Sequence, residues 1–476
     1  MRSVLTRTTS ETVGVAQISL ERGIRYGRSG GSWLPSPASV RIDPAEWAEM
    51  GGDLGEVWQW YRTWNEIYCE SLCGEADPSI AALVEFGLKD HEVPIQREFA
   101  RLGMEPVSCR VEYVHARDRR YIAEVQWVSG GLGLFAGIDW AYDAVSAGSA
   151  KRRLLADGLL DAFTENACGA PDILSVVRDD WLPGEGFLGR FAERRGISFT
   201  GVDRSSCADV LRAKQIPAGL IYGQGYTSLM PAEMFVGLAR DAISRKFTPE
   251  SPYNHIYRQK WGLALVHDPR YAHRFSERLR RIIPVSVLLN DVSPRFDLLG
   301  AVDESFERIS DLAEVIELPD RVRKSLIIKS GAGVGGFHSN GRGVFRLGGS
   351  RLAARKTVDF VRERITLGEP WILQPFVSTP MPMPLASGIA ADAFTEYDTH
   401  VKLMVFGARS ASSDTAGPVG ALANYGRHWK VGGRSPRLDA AGRQEGTAFT
   451  DVAVGEYEQD ERGNGVLPEQ AEVEHR

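Results

Sequence analysis

Val107-Ser-Cys-Arg-Val-Glu-Tyr-Val-His-Ala116, followed by Arg120-Tyr-Ile-Ala-Glu-Val-Gln-Trp-Val128, is the stretch that decides the fold. Polar and apolar residues alternate in both segments, and Arg117, Asp118 and Arg119 make a charged turn between them, which is the pattern of a β-hairpin. Arg110, Glu112, Glu124 and Gln126 all hold even positions. Side chains alternate between the faces of a strand, so within each strand these polar groups point the same way. A symmetric hairpin pairing Val114 with Ile122 sets Glu112 opposite Glu124 and Arg110 opposite Gln126, and any even shift of register keeps them on one face. Two like charges opposed across a hairpin are unfavourable. A cation between them removes the conflict. Two carboxylates and an amide oxygen are hard donors that suit Mg2+, which takes one or two carboxylates and completes its shell with substrate phosphates. The same letters also fit a solvated hairpin face carrying ordinary surface charges.

A second stretch lies far downstream. Ser325-Leu-Ile-Ile-Lys329 is an apolar strand that runs into a glycine-rich segment from Gly331 to Gly343. Gly331, Gly333 and Gly336 match the dinucleotide fingerprint by letter, but that motif needs a helix opening at the loop, and here more glycines and polar residues follow. No Gly-Lys-Ser/Thr follows either, so a P-loop is excluded. A flap whose backbone N–H groups close over phosphates fits better, with the Lys329 ammonium beside them. Trp371-Ile-Leu-Gln-Pro-Phe-Val377 reads as a strand ending in an irregular Gln-Pro stretch that can offer backbone groups to an adenine edge.

The chain has 476 residues, enough for two or three packed lobes, with 43% hydrophobic and 25% charged residues, as in a globular protein. A net charge of −6 argues against a general nucleic-acid binder. Five cysteines, Cys69, Cys73, Cys109, Cys168 and Cys207, make no disulfide framework at this length. No secretion signal and no membrane-length apolar run is visible, so the cytoplasm is the default and no membrane partner is expected. Residues 1–40 read as a flexible arm. Residues 41–150 hold helices and the hairpin, with a long amphipathic helix over Leu54–Leu72 stopped by Gly74 and further helices over Pro78–Phe86, Ile95–Leu102 and near Trp140. Residues 151–235 alternate strands (Ile173–Val177, Ile197–Gly201, Leu220–Gly223) with helices (Phe187–Arg194, Cys207–Ala213), which implies a parallel sheet. Residues 236–436 hold the downstream strands, including Val401–Phe406, after a mainly helical stretch over 231–280. Residues 437–476 read as a disordered tail.

With its parts in this order the chain resembles an ATP-grasp enzyme, and in particular the synthetase part of glutathionylspermidine and trypanothione synthetases. In that family the metal-binding hairpin comes early, and the lysines, flap and adenine hinge come late. The family hairpin carries an Arg, an Asp two residues on, then Glu-x-Asn after a fixed gap. Arg110, Glu112, Glu124 and Gln126 reproduce the spacing, with Glu112 for Asp and Gln126 for Asn, each one methylene longer. Tyr257-Arg-Gln-Lys260-Trp-Gly-Leu263 resembles the stretch of the first nucleotide lysine, Ser325–Lys329 the second lysine strand, and Trp371–Val377 the hinge. The resemblance implies an α/β fold of α+β lobes, ATP-grasp-like with a circularly permuted order of parts. It implies a cytoplasmic carboxylate–amine ligase that forms an amide through an acyl phosphate, with ATP and Mg2+ as cofactors and a small carboxylic acid and an amine as partners. Arg110 would be catalytic, and Glu112, Glu124 and Gln126 would hold the metal. Lys260 and Lys329 would bind phosphates, Gly333, Gly335 and Gly336 would close the flap, and Gln374 and Phe376 would frame the adenine. His338 lies on the flap within reach of substrate or simply exposed. A late arginine, Arg409 or Arg427, would join the site. An ATP-binding protein without turnover and a phosphotransferase on the same fold are the alternatives.

Overall fold

The computed structural model describes residues 3–6, 38–116, 119–127, 131–145, 153–169, 171–177, 182–203, 206, 209, 219–223, 231–290, 312–332, 343–386, 394–412 and 415–427, with short strands between 437 and 466. It is a mixed α/β protein of helices and several sheets. The hairpin strands β3 (Ser108–Ala116) and β4 (Arg119–Gln126) end the largest sheet. Next to β3 runs the long strand β14 (Phe394–Arg409), followed by β15 (Ala416–Gly426), the strand Ala448–Val454, β2 (Ala38–Ile42) and β1 (Ser3–Thr6). β13 (Met381–Ala386) pairs with the other end of β14. Val401–Phe406, read from the sequence as a short strand, is the middle of β14.

The two faces of this sheet follow from strand alternation. Val111, Tyr113, Leu403, Val405, Ala421 and Ala423 share one core with Trp58, Tyr61 and Trp64 of helix α1 (Pro44–Cys73). That helix starts where Asp43 accepts from the Ala45 N–H ahead of Pro44, and it ends at Gly74, whose φ of 80° suits a residue without Cβ. α2 (Pro78–Glu85) and α3 (Val93–Arg101) follow close to the expected bounds. On the opposite face Met404, Phe406 and Leu422 pack with Phe135 of α4 (Leu132–Val145) and Leu155 and Leu159 of α5 (Leu155–Asn166).

The α/β layer is a parallel sheet in the order β6-β5-β7-β8, built from β5 (Asp172–Val177), β6 (Ser198–Asp203), β7 (Leu220–Tyr222) and β8 (Thr248–Pro249). α6 (Leu182–Arg194) connects β5 to β6, and α7 (Ala232–Ile243) follows β7. The expected helix over Cys207–Ala213 lies almost wholly outside the described residues. A third, antiparallel sheet runs β11-β10-β12-β9, from β9 (Val287–Leu288), β10 (Leu326–Ser330), β11 (Val344–Arg346) and β12 (Trp371–Pro375). Leu326, Ile328, Trp371 and Leu373 face Val358 and Val361 of helix α8 (Arg351–Thr366), which leaves Lys329 and Gln374 on the other face.

Three expectations are corrected. The stretch 231–280 is helical only in pieces. After α7 it holds β8, two 3-10 turns, a four-residue helix and Glu277–Ile282, because Pro249, Pro252 and Pro269 interrupt any longer helix. The tail is not wholly without structure, since Ala448–Val454 pairs antiparallel with β15 and parallel with β2, and Val452 is 4% exposed. An acidic surrounding composition hid this short apolar run. At the other end Ser3–Thr6 and Ala38–Ile42 of the expected arm are the last two strands of the same sheet. That sheet draws its strands from segments far apart in the sequence.

Candidate active site

The hairpin pairs Arg110 with Gln126 and Glu112 with Glu124, as its symmetry requires. Beyond Glu112 the register slips, so that Tyr113 faces Ile122 and Val114 faces Tyr121. The slip leaves Ala123 opposite no residue, a bulge of the kind that re-aims backbone groups next to sites. The Ala123 carbonyl accepts from the Lys329 ammonium at 3.1 Å, across from the third sheet.

Polar side chains on this face bind one another. Arg110 Nη2 donates to Glu112 Oε1 at 2.8 Å and also to Gln126 Oε1. Gln126 Nε2 donates to Glu124 Oε1 at 2.9 Å. The guanidinium of Arg110 lies 5.2 Å from the Phe135 ring centroid, so an aromatic face backs it. The like-charge conflict of Glu112 and Glu124 is relieved by lysines. Lys260 Nζ is 3.2 Å from Glu124 Oε1, and Lys402 Nζ is 2.6 Å from Glu112 Oε2. Lys402 comes from β14, where it pairs with Val114, and Lys260 is tied down by its N–H bond to the Gly331 carbonyl at 2.9 Å. The turn around Lys260 also packs tightly, because a Cβ at Gly262 would stand 2.3 Å from the Trp64 ring.

Electrostatics follow from this crowding. Burial alone would raise the Glu124 carboxyl, but the Lys260 and Lys402 ammoniums, the Gln126 amide and the Arg110 guanidinium hold it at about 2. Burial and the nearby Lys260 and Lys402 push the Lys329 ammonium down to about 7, against the pull of Glu124 and Glu112. Four basic side chains thus surround two carboxylates. The surplus of positive charge suits an anionic ligand.

The structure brings Arg110, Glu112, Glu124, Gln126, Lys260 and Lys329 together. Gln374 and Phe376 stand on the third sheet and its edge. The Gln374 amide is buried and donates to Ser286 Oγ at 2.7 Å, and the Arg346 guanidinium lies 4.2 Å over the Phe376 ring. Gly333, Gly335, Gly336 and His338 lie outside the described residues. Of the two candidate late arginines, Arg409 pairs with Glu105 at 3.0 Å and Arg427 lies over the Tyr397 ring at 4.7 Å. A cation that the sequence reading missed, Lys402, stands beside Glu112. Its signal in the sequence is a lysine inside the apolar run Val401–Phe406, the same signal that marked Lys329.

The donor set can be tested against Mg2+. Among the described residues no group of three or more His, Cys, Asp or Glu gathers into a metal cluster. Two opposed carboxylates fit a cation that relies on phosphates for the rest of its shell. Glu112 and Glu124 therefore fit. Gln126 turns its N–H toward Glu124 and its oxygen toward Arg110, so in this arrangement it orients the carboxylate and arginine rather than offering a ligand atom.

No family model and no curated protein matches the sequence. Among solved structures the chain is similar to a glutathione synthetase-like effector from Globodera pallida in its apo form, at 8% identity and a TM-score of 0.53, over 94% of this chain and 97% of that one. Looser matches are a gamma-glutamylcysteine synthetase-like protein from Methylobacillus flagellatus (12% identity, TM-score 0.35, 71% and 80% covered) and the D-cycloserine synthetase DcsG (14%, 0.27, 59% and 90%). The first is a likeness in fold alone, and the other two align too loosely to inform it. Among the described residues no helix is long and apolar enough to cross a membrane.

Proposed function

We propose that this chain is an ATP-grasp ligase that joins a small carboxylic acid to an amine, built like the synthetase part of glutathionylspermidine synthetases. The observation that carries the reading is the pair Glu112 and Glu124, opposed across the hairpin and ringed by Arg110, Lys260, Lys329 and Lys402 from four separate parts of the chain. Such a ring matches a polyphosphate better than a neutral substrate. Mg2+ held by Glu112 and Glu124 would screen the phosphate charge. In the first step an oxygen of the acid attacks the γ-phosphorus of ATP and ADP leaves, which gives an acyl phosphate. In the second the amine nitrogen attacks the acyl carbon, inorganic phosphate leaves, and the nitrogen loses a proton.

The chain's own groups supply positioning and charge rather than a nucleophile. Lys260 and Lys329 would hold the phosphates. A bound polyphosphate would return to Lys329 the proton that its buried, cation-rich surroundings loosen. Arg110, fixed between Phe135 and the hairpin carboxylate, would meet the transferred phosphoryl group and the acyl phosphate. Gly333, Gly335 and Gly336 would form the closing flap. Gln374 and Phe376 would border the adenine, with the backbone and the Phe376 ring serving it, since the Gln374 amide is engaged with Ser286. One observation favours a second reading, a nucleotide binder without turnover: the longer side chains at 112 and 126 let the Gln126 oxygen turn to Arg110.

A screen of acids and amines for ADP release, with mass spectrometry of products, tests the reading. Hydroxylamine in place of the amine should trap a hydroxamate of the true acid. ATP consumed with neither hydroxamate nor amide would overturn the ligase in favour of a phosphotransferase.

A further inference from the structure

Both oxygens of Glu112 are held by this chain's own cations. Arg110 makes a directed hydrogen bond to Oε1. At Oε2 the Lys402 ammonium stands 2.6 Å away as an ion pair. The Glu112 and Lys402 side chains are 4% and 19% exposed, which leaves little water to screen them. On the next strand Asn424 pairs with Lys402 across the sheet and shares its face. Asn424 is 4% exposed, its Nδ2 reaches the Met404 sulfur at 3.8 Å, and its Oδ1 has no hydrogen-bond partner among the described residues. A buried carbonyl oxygen without a donor is costly to keep. This one belongs to the residue paired with Lys402, whose ammonium has three N–H groups to give.

A divalent cation on Glu112 requires its oxygens at about 2.0–2.1 Å. An ammonium cannot stay 2.6 Å from the same buried oxygen, because the two cations would then face each other at short range with little water between. Lys402 must leave, and its surroundings already hold Arg110, Lys260 and Lys329. Without an anion the displaced charge enters a crowd of like charges.

We propose that Lys402 has two berths, Glu112 in the ligand-free protein and Asn424 Oδ1 with a bound polyphosphate in the loaded one, so that divalent cation and polyphosphate bind this site as a coupled pair. The inference rests on the ligase reading for the identity of the two ligands. It adds that Lys402 acts as a placeholder for the metal, and that Asn424 receives it.

The test is metal binding by the full chain, with Mn2+ as the probe and its free concentration read by electron paramagnetic resonance, with and without a non-hydrolysable ATP analogue. In the unaltered protein the analogue should tighten Mn2+ binding at least about ten-fold, within the usual 5- to 150-fold range of coupled sites. Lys402→Met should bind Mn2+ alone more tightly by a similar factor, and the analogue should then add little. Lys402→Arg keeps the counter-charge and should keep the coupling. Asn424→Ala should reduce the gain from the analogue. If the analogue tightens Mn2+ in the unaltered protein but Lys402→Met is no tighter alone, the two-berth inference fails and the ligase reading stands. An undiminished gain in Asn424→Ala also overturns it, even if the Lys402 variants do not fold. If the unaltered protein binds no Mn2+ with the analogue present, the ligase reading fails as well.

Discussion

Glu250 is a carboxyl held in the interior where the α/β layer meets the hairpin, and its removal has a calculable signature. Its N–H donates to the Ile221 carbonyl at 2.8 Å, and its own carbonyl accepts from the Val107 N–H at 2.7 Å. The side chain is 1% exposed, accepts from Ser108 Oγ at Oε1, and has no hydrogen-bond partner at Oε2 among the described residues. Burial pushes the carboxyl from 4.5 up to about 8, with the Ser108 bond pulling the other way. Between those values the folded chain keeps a proton that the unfolded chain gives up, so stability is full below about pH 4.5 and is lost as pH rises to about 8. The slope is about 1.4 kcal/mol per pH unit, or about 4 kcal/mol between pH 5 and pH 8. Glu250→Gln cannot ionise. It leaves the amide NH2 without a partner at the Oε2 position, which costs about 1–3 kcal/mol at every pH. The two urea unfolding curves should therefore converge, or cross, as pH rises, with the variant weaker at pH 5 and level or stronger at pH 8. Glu185, raised to about 7 by burial, titrates in both proteins and drops out of the difference. A stability difference that stays constant from pH 5 to pH 8 would refute the argument.

Three further outcomes are expected. Glu124→Ala should fold less stably, since it leaves Lys260 without its counter-charge, and should lose Mg2+-dependent ATP turnover; undiminished ADP release would remove Glu124 from the site. Arg110→Lys should lower kcat by about 10²–10³ with little change in apparent ATP affinity, because a guanidinium fork that meets charge in the transition state has no lysine equivalent. Truncation after Pro436 removes Ala448–Val454 and uncovers β15 and β2, so it should lower the melting temperature and raise aggregation at the exposed edges; a truncated chain that melts like the whole one would show the strand to be dispensable.

The sequence alone determined what depends on neighbours along the chain. The hairpin and its pairing of Glu112 with Glu124 follow from a period of two around one short turn, and the slip beyond Glu112 left that pairing untouched. The long helix was legible from apolar spacing over Leu54–Leu72 and from Gly74, though it starts ten residues earlier at Pro44, and the parallel layer was legible from alternating strands and helices. A lysine ending an apolar strand marked Lys329 for the same local reason. Tertiary structure alone decided what depends on register between distant segments. β15 is rich in Gly, Ala and Pro and carries no strand signal, and it is a strand because β14 and Ala448–Val454 pair with it on either side. Lys402 could have faced either side of its strand, and only its pairing with Val114 of β3 sets it beside Glu112. An ion pair between residues so far apart in the chain leaves no periodic trace in the sequence. Its energy comes from a geometry that exists only after the sheet has closed.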